Sequence, residues 1–214
     1  MSAKQFQINA ASRHQVFVER YGKGESSKAA KGLDKLRKKV KARLKNEPSR
    51  IQRNKLKALS DDIDALYVSY KADLKAGVKK STDSMVIAEA GFTAKMTGKV
   101  VTVDLSIPSD DLLIAAVSQK PMTAVAGRSV KIDEAIDDLV GAFSKETQLL
   151  ITSGMAVGAT TDAIANDVSA LVKTAHARKV ATVVNTAINH SSSVARTELY
   201  KRNKDVIIGY QWVA

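Results

Sequence analysis

Between residues 28 and 77 the apolar side chains recur every three or four positions: Leu33, Leu36, Val40 and Leu44 at spacings of 3, 4 and 4, then Leu56, Leu59, Ile63, Leu66 and Tyr70 at 3, 4, 3 and 4. That is the period of one face of an α-helix and excludes the two-residue alternation of a half-buried strand. Two such stripes on either side of a Pro48-containing link predict a helical hairpin over residues 28–77, the stripes facing one another or the rest of the protein. Pro48 is suited to open the second helix, because its missing N–H has no partner to lose there.

The same reading extends to both sides. SRHQVFVERYG, from Ser12, fits a short helix capped by the serine and ended by Gly22, with a strand through QVFV as the alternative. GKGESSK, residues 22–28, reads as a loop, having two glycines and two serines and little to bury. A helix entered at Ser81 or Thr82 follows, and then Val101, Val103, Leu105 and Ile107 alternate with polar residues as a half-buried strand or extended connector ending at Pro108. Ser109 caps a short helix, with Asp110 and Asp111 at its positive end. PMTAVAGRSV is a turn-rich crossing into a long amphipathic helix from about residue 129 to 153; GMAVGAT ends it. Thr160 or Thr161 caps the next helix, and another runs from about residue 175 to 203. Aromatic content of 5% and only three prolines agree with packing through small and aliphatic side chains. The expectation is a mainly α protein: a helical hairpin, then a multi-helix domain with a short extended connector and a C-terminal β-strand.

Charge divides the chain differently from hydropathy. Residues 1–80 carry 21 Lys and Arg against 8 Asp and Glu, whereas residues 81–214 carry 13 against 14. This predicts a basic helical region over 1–80 and a neutral helical domain over 81–214. Within residues 23–57 there are 14 basic and 3 acidic side chains. A solvated face would account for lysines balanced by acids each turn; uncompensated charge at this density repels itself unless phosphates or an acidic protein surface neutralise it. The candidate anion-binding residues are Lys35, Arg37, Lys38, Lys39, Lys41, Arg43, Lys45, Arg50, Arg53, Lys55 and Lys57. No aromatic interleaves with them, so stacking on unpaired bases is not expected, and contact would be with backbone phosphates, salt-dependent and weakly selective.

Other chemistries lack their residues. With no cysteine there is no disulfide or thiolate site, and His14, His176 and His190 stand in no metal-ligand spacing, so no metal or cofactor is expected. GMAVGAT lacks the lysine of a phosphate loop. Serines 191–193 beside His190 fall in a helical run without a strand-to-helix elbow, and no convergent catalytic set is visible elsewhere. The unit from 160 to 190, two helices joined by a short link, is superficially a helix-turn-helix with Arg178, Lys179 and Asn185 on the second helix. No window reaches the roughly 20 apolar residues of a bilayer span, and MSAKQFQINAASRHQ lacks the continuous apolar core expected of a secretory signal.

AEAGFTAK, SIPSDDLLIAAV, PMTAVAGRSV before a long helix, GATTDAIANDV, NHSSSVARTELYKRN and the closing DVIIGYQWVA form an ordered series over roughly residues 80–214. The series resembles the phage head-morphogenesis, or minor head protein, family (phage Mu F-like), with residues 11–22 matching weakly. Members carry an R-T-E element on a late helix, here Arg196, Thr197 and Glu198, and a G-Y-x-W-V-A-like block, here Gly209 to Ala214. Many continue into an acidic, Cys- or His-containing segment; this chain stops before it. The resemblance implies a virion structural protein inside the head near the portal, made in the host cytoplasm and present in multiple copies. It would assist capsid and portal assembly, its partners being portal or capsid proteins and packaged duplex DNA. The competing reading is a sequence-nonspecific or regulatory DNA-binding protein outside a virion.

The tail VIIGYQWVA, residues 206–214, is expected to be a strand with Val206, Ile208, Tyr210 and Trp212 on one side. Tyr210 and Trp212 are the candidate protein-interface residues. Burial against the protein's own helices, pairing with another subunit and pairing with a missing C-terminal segment are the three readings of that face.

Overall fold

The computed structural model describes residues 3–123 and 127–207. Helix α1 spans Ala3–Lys45, a 3₁₀ turn Arg53–Lys55 precedes α2 at Leu56–Val101, and α3 spans Asp110–Gln119. Strands β1, Met122–Thr123, and β2, Ser129–Val130, pair antiparallel as a minimal hairpin. Helices α4, Ile132–Ala156, and α5, Thr161–Leu171, follow; a π-helical turn, Val172–His176, then leads into α6, Ala177–Arg202. The mainly α expectation holds. No helix among the described residues is long and apolar enough to cross a membrane. The expected C-terminal strand, with Tyr210 and Trp212, lies outside the described residues.

The chain forms two compact units, and neither is a continuous stretch. The first comprises residues 1–24, 78–131 and 185–214; the second comprises residues 25–77 and 132–184.

In the second unit the predicted hairpin is present. Leu33, Leu36, Val40 and Leu44 of α1 and Leu59, Ile63 and Tyr70 of α2 are buried as their spacing predicts, each buried leucine contributing about 1.5–3 kcal/mol relative to exposure. Leu56 and Leu66 are only half-buried, and Tyr67 takes the inward position beside Leu66. The helices run antiparallel, Gly32 lying against the Tyr70 ring and Arg43 Nε 2.7 Å from Asp62 Oδ2. From α4, Ile136, Val140, Phe143 and Ile151 are buried, and from α5, Ile164, Ala165 and Val168. Gly154 permits the close approach of these two helices: a Cβ there would stand 2.6 Å from Ile164 Cγ1. Gly158 makes the turn between them at φ 73°, and the Thr160 hydroxyl accepts from the Ala163 N–H at 3.2 Å to cap α5.

Pro48 does not open a helix. The Thr161 hydroxyl donates to its carbonyl, and the Thr161 N–H donates to the carbonyl of Ser49 at 3.0 Å. Helix α5 thereby holds the α1–α2 link in a non-helical path, and α2 begins eight residues beyond the proline.

In the first unit Val18 of α1, Met85 of α2 and Ile188 of α6 form a buried cluster, with Tyr21 packed on it and donating to the Ser81 carbonyl at 3.2 Å. Three sequence expectations give way here. Residues 22–28 are helical rather than a loop, and Ser12 and Gly22 lie inside α1. Gly22 serves close packing, since a Cβ would meet Asn185 Oδ1 at 2.7 Å. Ser81 and Thr82 are buried inside α2 rather than capping a new helix, and the Thr82 hydroxyl donates back to the Lys79 carbonyl. Val101 ends α2 instead of starting a strand; Thr102 takes a left-handed φ of 53°, and the Val103 N–H closes the helix on the Gly98 carbonyl at 3.3 Å.

Beyond Thr102 the connector carries neither helix nor strand up to Ser109, the predicted cap of α3, whose backbone is extended and whose hydroxyl faces the Leu112 N–H. Asn203, just past α6, fixes that connector. Its Oδ1 accepts from the Ser106 N–H and its Nδ2 donates to the Ser106 carbonyl, both at 2.8 Å. A side-chain amide thus does what a neighbouring strand's peptide group would do.

Candidate functional site

The basic residues of α1 point to two sides, and their partners separate them. Arg37 Nη1 donates to Ser169 Oγ at 2.8 Å, Lys41 Nζ donates to Asn166 Oδ1 at 3.0 Å, and Lys45 Nζ lies 3.2 Å from Asp162 Oδ1. Positions 37, 41 and 45 descend one face of α1 while 169, 166 and 162 ascend one face of α5, forming a polar ladder between antiparallel helices. Arg43 is held by Glu47 and Asp62, whose carboxylates raise its pKa further. Lys57 pairs with Asp61 on the next turn of α2. These five side chains bind the protein to itself.

The opposite face of α1 is different. Lys31, Lys35 and Lys39, at spacings of four, are exposed and make no hydrogen bond or ion pair among the described residues. Lys38, beside them and 69% exposed, shares Asp34 with Arg37; hydrogen bonds from Lys38 and then Arg37 lower the Asp34 pKa. Lys28, at the row's upper end, is paired with Glu25 at 2.7 Å. Arg50 and Lys55 are exposed in the link to α2, without a partner among the described residues; the Arg53 backbone lies in the 3₁₀ turn. Of the eleven candidates, the structure brings Lys35, Lys38 and Lys39 into one row and adds Lys31, which the sequence reading missed. Its four-residue spacing from Lys35 was the available signal.

The first unit contains a buried carboxylate that was also missed. Glu89 is 1% exposed. His14 Nε2 is 2.7 Å and the donating Ser192 hydroxyl 2.9 Å from its Oε2; Thr93 Oγ1 at 3.2 Å and Arg196 Nε at 3.3 Å serve its Oε1. Arg196 Nη2 also donates to Ser192 Oγ at 2.8 Å, and the His14 ring stacks on Phe92 at 3.6 Å. One carboxylate therefore ties α1, α2 and α6 together with both oxygens engaged, the arrangement that makes a buried charge tolerable. Nearby, Lys120 at the end of α3 pairs with Glu198, and Lys201 reaches the same carboxylate. Burial disfavours the Glu198 anion, but the two lysines outweigh it and lower its pKa. His190 turns to the Lys120 carbonyl at 3.2 Å, so it is not bonded to the serines that follow it in sequence; burial lowers its pKa.

Three of the six sequence segments singled out above supply these contacts. Glu89 belongs to AEAGFTAK, Ser106 to SIPSDDLLIAAV, and Ser192, Arg196, Glu198 and Asn203 to NHSSSVARTELYKRN.

Residues 161–202 are continuously helical through the π turn, so the link that a helix-turn-helix requires is missing. The π turn places His176, 0% exposed, flat on Phe143 at 3.8 Å, with Nε2 2.9 Å from Glu146 Oε2. Its Nδ1 is buried without a partner among the described residues. Burial lowers the His176 pKa against the opposing pull of Glu146. Burial also works against the Glu146 anion, but Lys179 and His176 prevail and lower its pKa. Tyr67 donates to or accepts from Thr147 Oγ1 at 2.7 Å, and burial pushes its phenol up to about 12. An open groove of about 600 Å³ in the second unit is lined by Leu56, Leu59, Leu149 and Ile151 together with polar residues that include Lys57, Asp61 and Lys145. Among the described residues no three His, Asp or Glu side chains converge as metal ligands.

Comparison with protein-family models, with curated proteins and with solved structures gives no match.

Proposed function

We propose that this protein is a minor structural protein of a phage head, acting in head assembly near the portal and in contact with packaged DNA. The supporting observation is the meeting of AEAGFTAK, SIPSDD and NHSSSVARTELYKRN, distant in sequence, through Glu89, Ser106, Ser192, Arg196 and Asn203 in one compact unit. Both Glu89 oxygens are engaged by side chains of the same unit, and a buried polar network satisfied in this way fixes the packing of the three helices it joins. The second unit supplies the complementary part, a lysine row able to neutralise an anionic surface without chemistry.

Mass spectrometry of purified particles from the phage that encodes the chain tests this reading. Peptides from the chain are expected at a copy number well below that of the major capsid protein. A chain found only in the host fraction, absent from intact particles, overturns the proposal in favour of a DNA-binding protein acting outside a virion.

A further inference from the structure

The row Lys31, Lys35, Lys38, Lys39 on α1 has a composition that selects among anionic partners. We infer that it docks on the sugar-phosphate backbone of duplex DNA, and that Arg37, Lys41 and Lys45, on the same helix, take no part. The inference deepens the DNA contact proposed above without depending on membership of a virion.

The geometry argues as follows. Lys31, Lys35 and Lys39 are separated by four residues each, so the row extends about 12 Å along a rigid axis. A duplex presents one charge per about 1.7 Å of its length with both strands counted, so about seven phosphate charges are distributed around the length the row spans, more than one for each lysine. The face around the row offers Ala42 and Asn46 and no aromatic or large apolar side chain. The acid beside it, Asp34, is shared by Lys38 and Arg37, leaving Lys31, Lys35 and Lys39 without a counter-charge among the described residues. A protein partner would need an apolar centre and is ordinarily depleted of lysine there. An unpaired strand would need aromatic platforms. Lysine ammonium groups are point charges without the planar fork that reads carboxylates or guanine edges, so the contact reads phosphate and not sequence. Arg37, Lys41 and Lys45 are occupied by Ser169, Asn166 and Asp162.

The test measures binding of the full chain to a mixed-sequence duplex of about 30 base pairs across a salt series. The slope of log K against log[salt] is expected to flatten by about 0.9 per lysine removed, about 3.6 in all, in K31Q/K35Q/K38Q/K39Q. K41Q/K45Q should keep the wild-type slope while melting at lower temperature, which separates a loss of charge from a loss of fold. An unchanged slope in the quadruple variant overturns the inference. So does tighter binding of poly-glutamate than of duplex at equal salt, which would assign the row to an acidic protein surface. Either failure leaves the particle measurement untouched.

Discussion

At the residue scale the informative side chains are the buried polar ones, because each must be satisfied or kept neutral. His176 illustrates the second case. Its Nε2 has Glu146, its Nδ1 has nothing among the described residues, and Lys179 stands 5.9 Å from the Phe143 ring on which it stacks. Protonation would create a second ring N–H with no acceptor, beside a cation. The folded pKa therefore lies below the ordinary 6.5, whereas the unfolded chain protonates near that value. The stability that depends on neutral His176 is present above pH 6.5 and declines as pH falls from there through the folded pKa. Glu146, also lowered, adds a loss in the same direction below its ordinary 4.5. Thermal melting at pH 7.5 and 5.5 should show a lower midpoint at the acid value, and His176→Phe, which preserves the stack, should shrink that difference. An equal pH dependence in both proteins would exclude His176 as its source.

At the scale of elements, local periodicity was legible and continuity was not. Every apolar position read as a stripe in residues 33–44 is buried, because a 3–4 period needs no knowledge of the partner. Ser109 and Thr160 were legible as caps for the same local reason. Gly22, Gly24, Ser26 and Ser27 signalled a loop because their intrinsic preferences are poor for helix, but packing in the flanking turns outweighs those preferences. The Arg37–Ser169 contact, 132 residues apart, has no local signature at all, so the division of the basic residues into two faces could not be read from α1 alone. A pair of substitutions probes the corrected element. Gly24 has nothing within 4 Å of its would-be Cβ, so Gly24→Ala should stabilise by about 0.5–1 kcal/mol if the segment is helical. Two residues earlier, Gly22→Ala should gain less than Gly24→Ala, because the Asn185 side chain must turn aside. Urea unfolding of both variants measures the contrast, and equal, negligible effects at both positions would point to a flexible loop.

At the scale of the whole molecule, the charge boundary near residue 80 and the compact units follow different lines. The first unit holds 15 Lys and Arg against 8 Asp and Glu, the second 19 against 14, so both are positive. The polarity along the chain is not a polarity between units. Cutting at residue 80 would remove Val18 from the cluster of the first unit and the whole hairpin from the second. Fragments 1–80 and 81–214 are accordingly expected to lack cooperative thermal transitions when separate, as circular dichroism would show; a sharp transition in either would contradict that expectation. The ladder between α1 and α5 has a related consequence in time. During synthesis at about 5–20 residues per second, Lys41 leaves the ribosome roughly 6–25 s before its partner Asn166, 125 residues later. Throughout that interval the nascent basic helix carries its ladder cations bare, and the ribosome is itself an RNA surface. Completion of the second unit is what would pair them, leaving the outer lysines as the exposed cations of that helix.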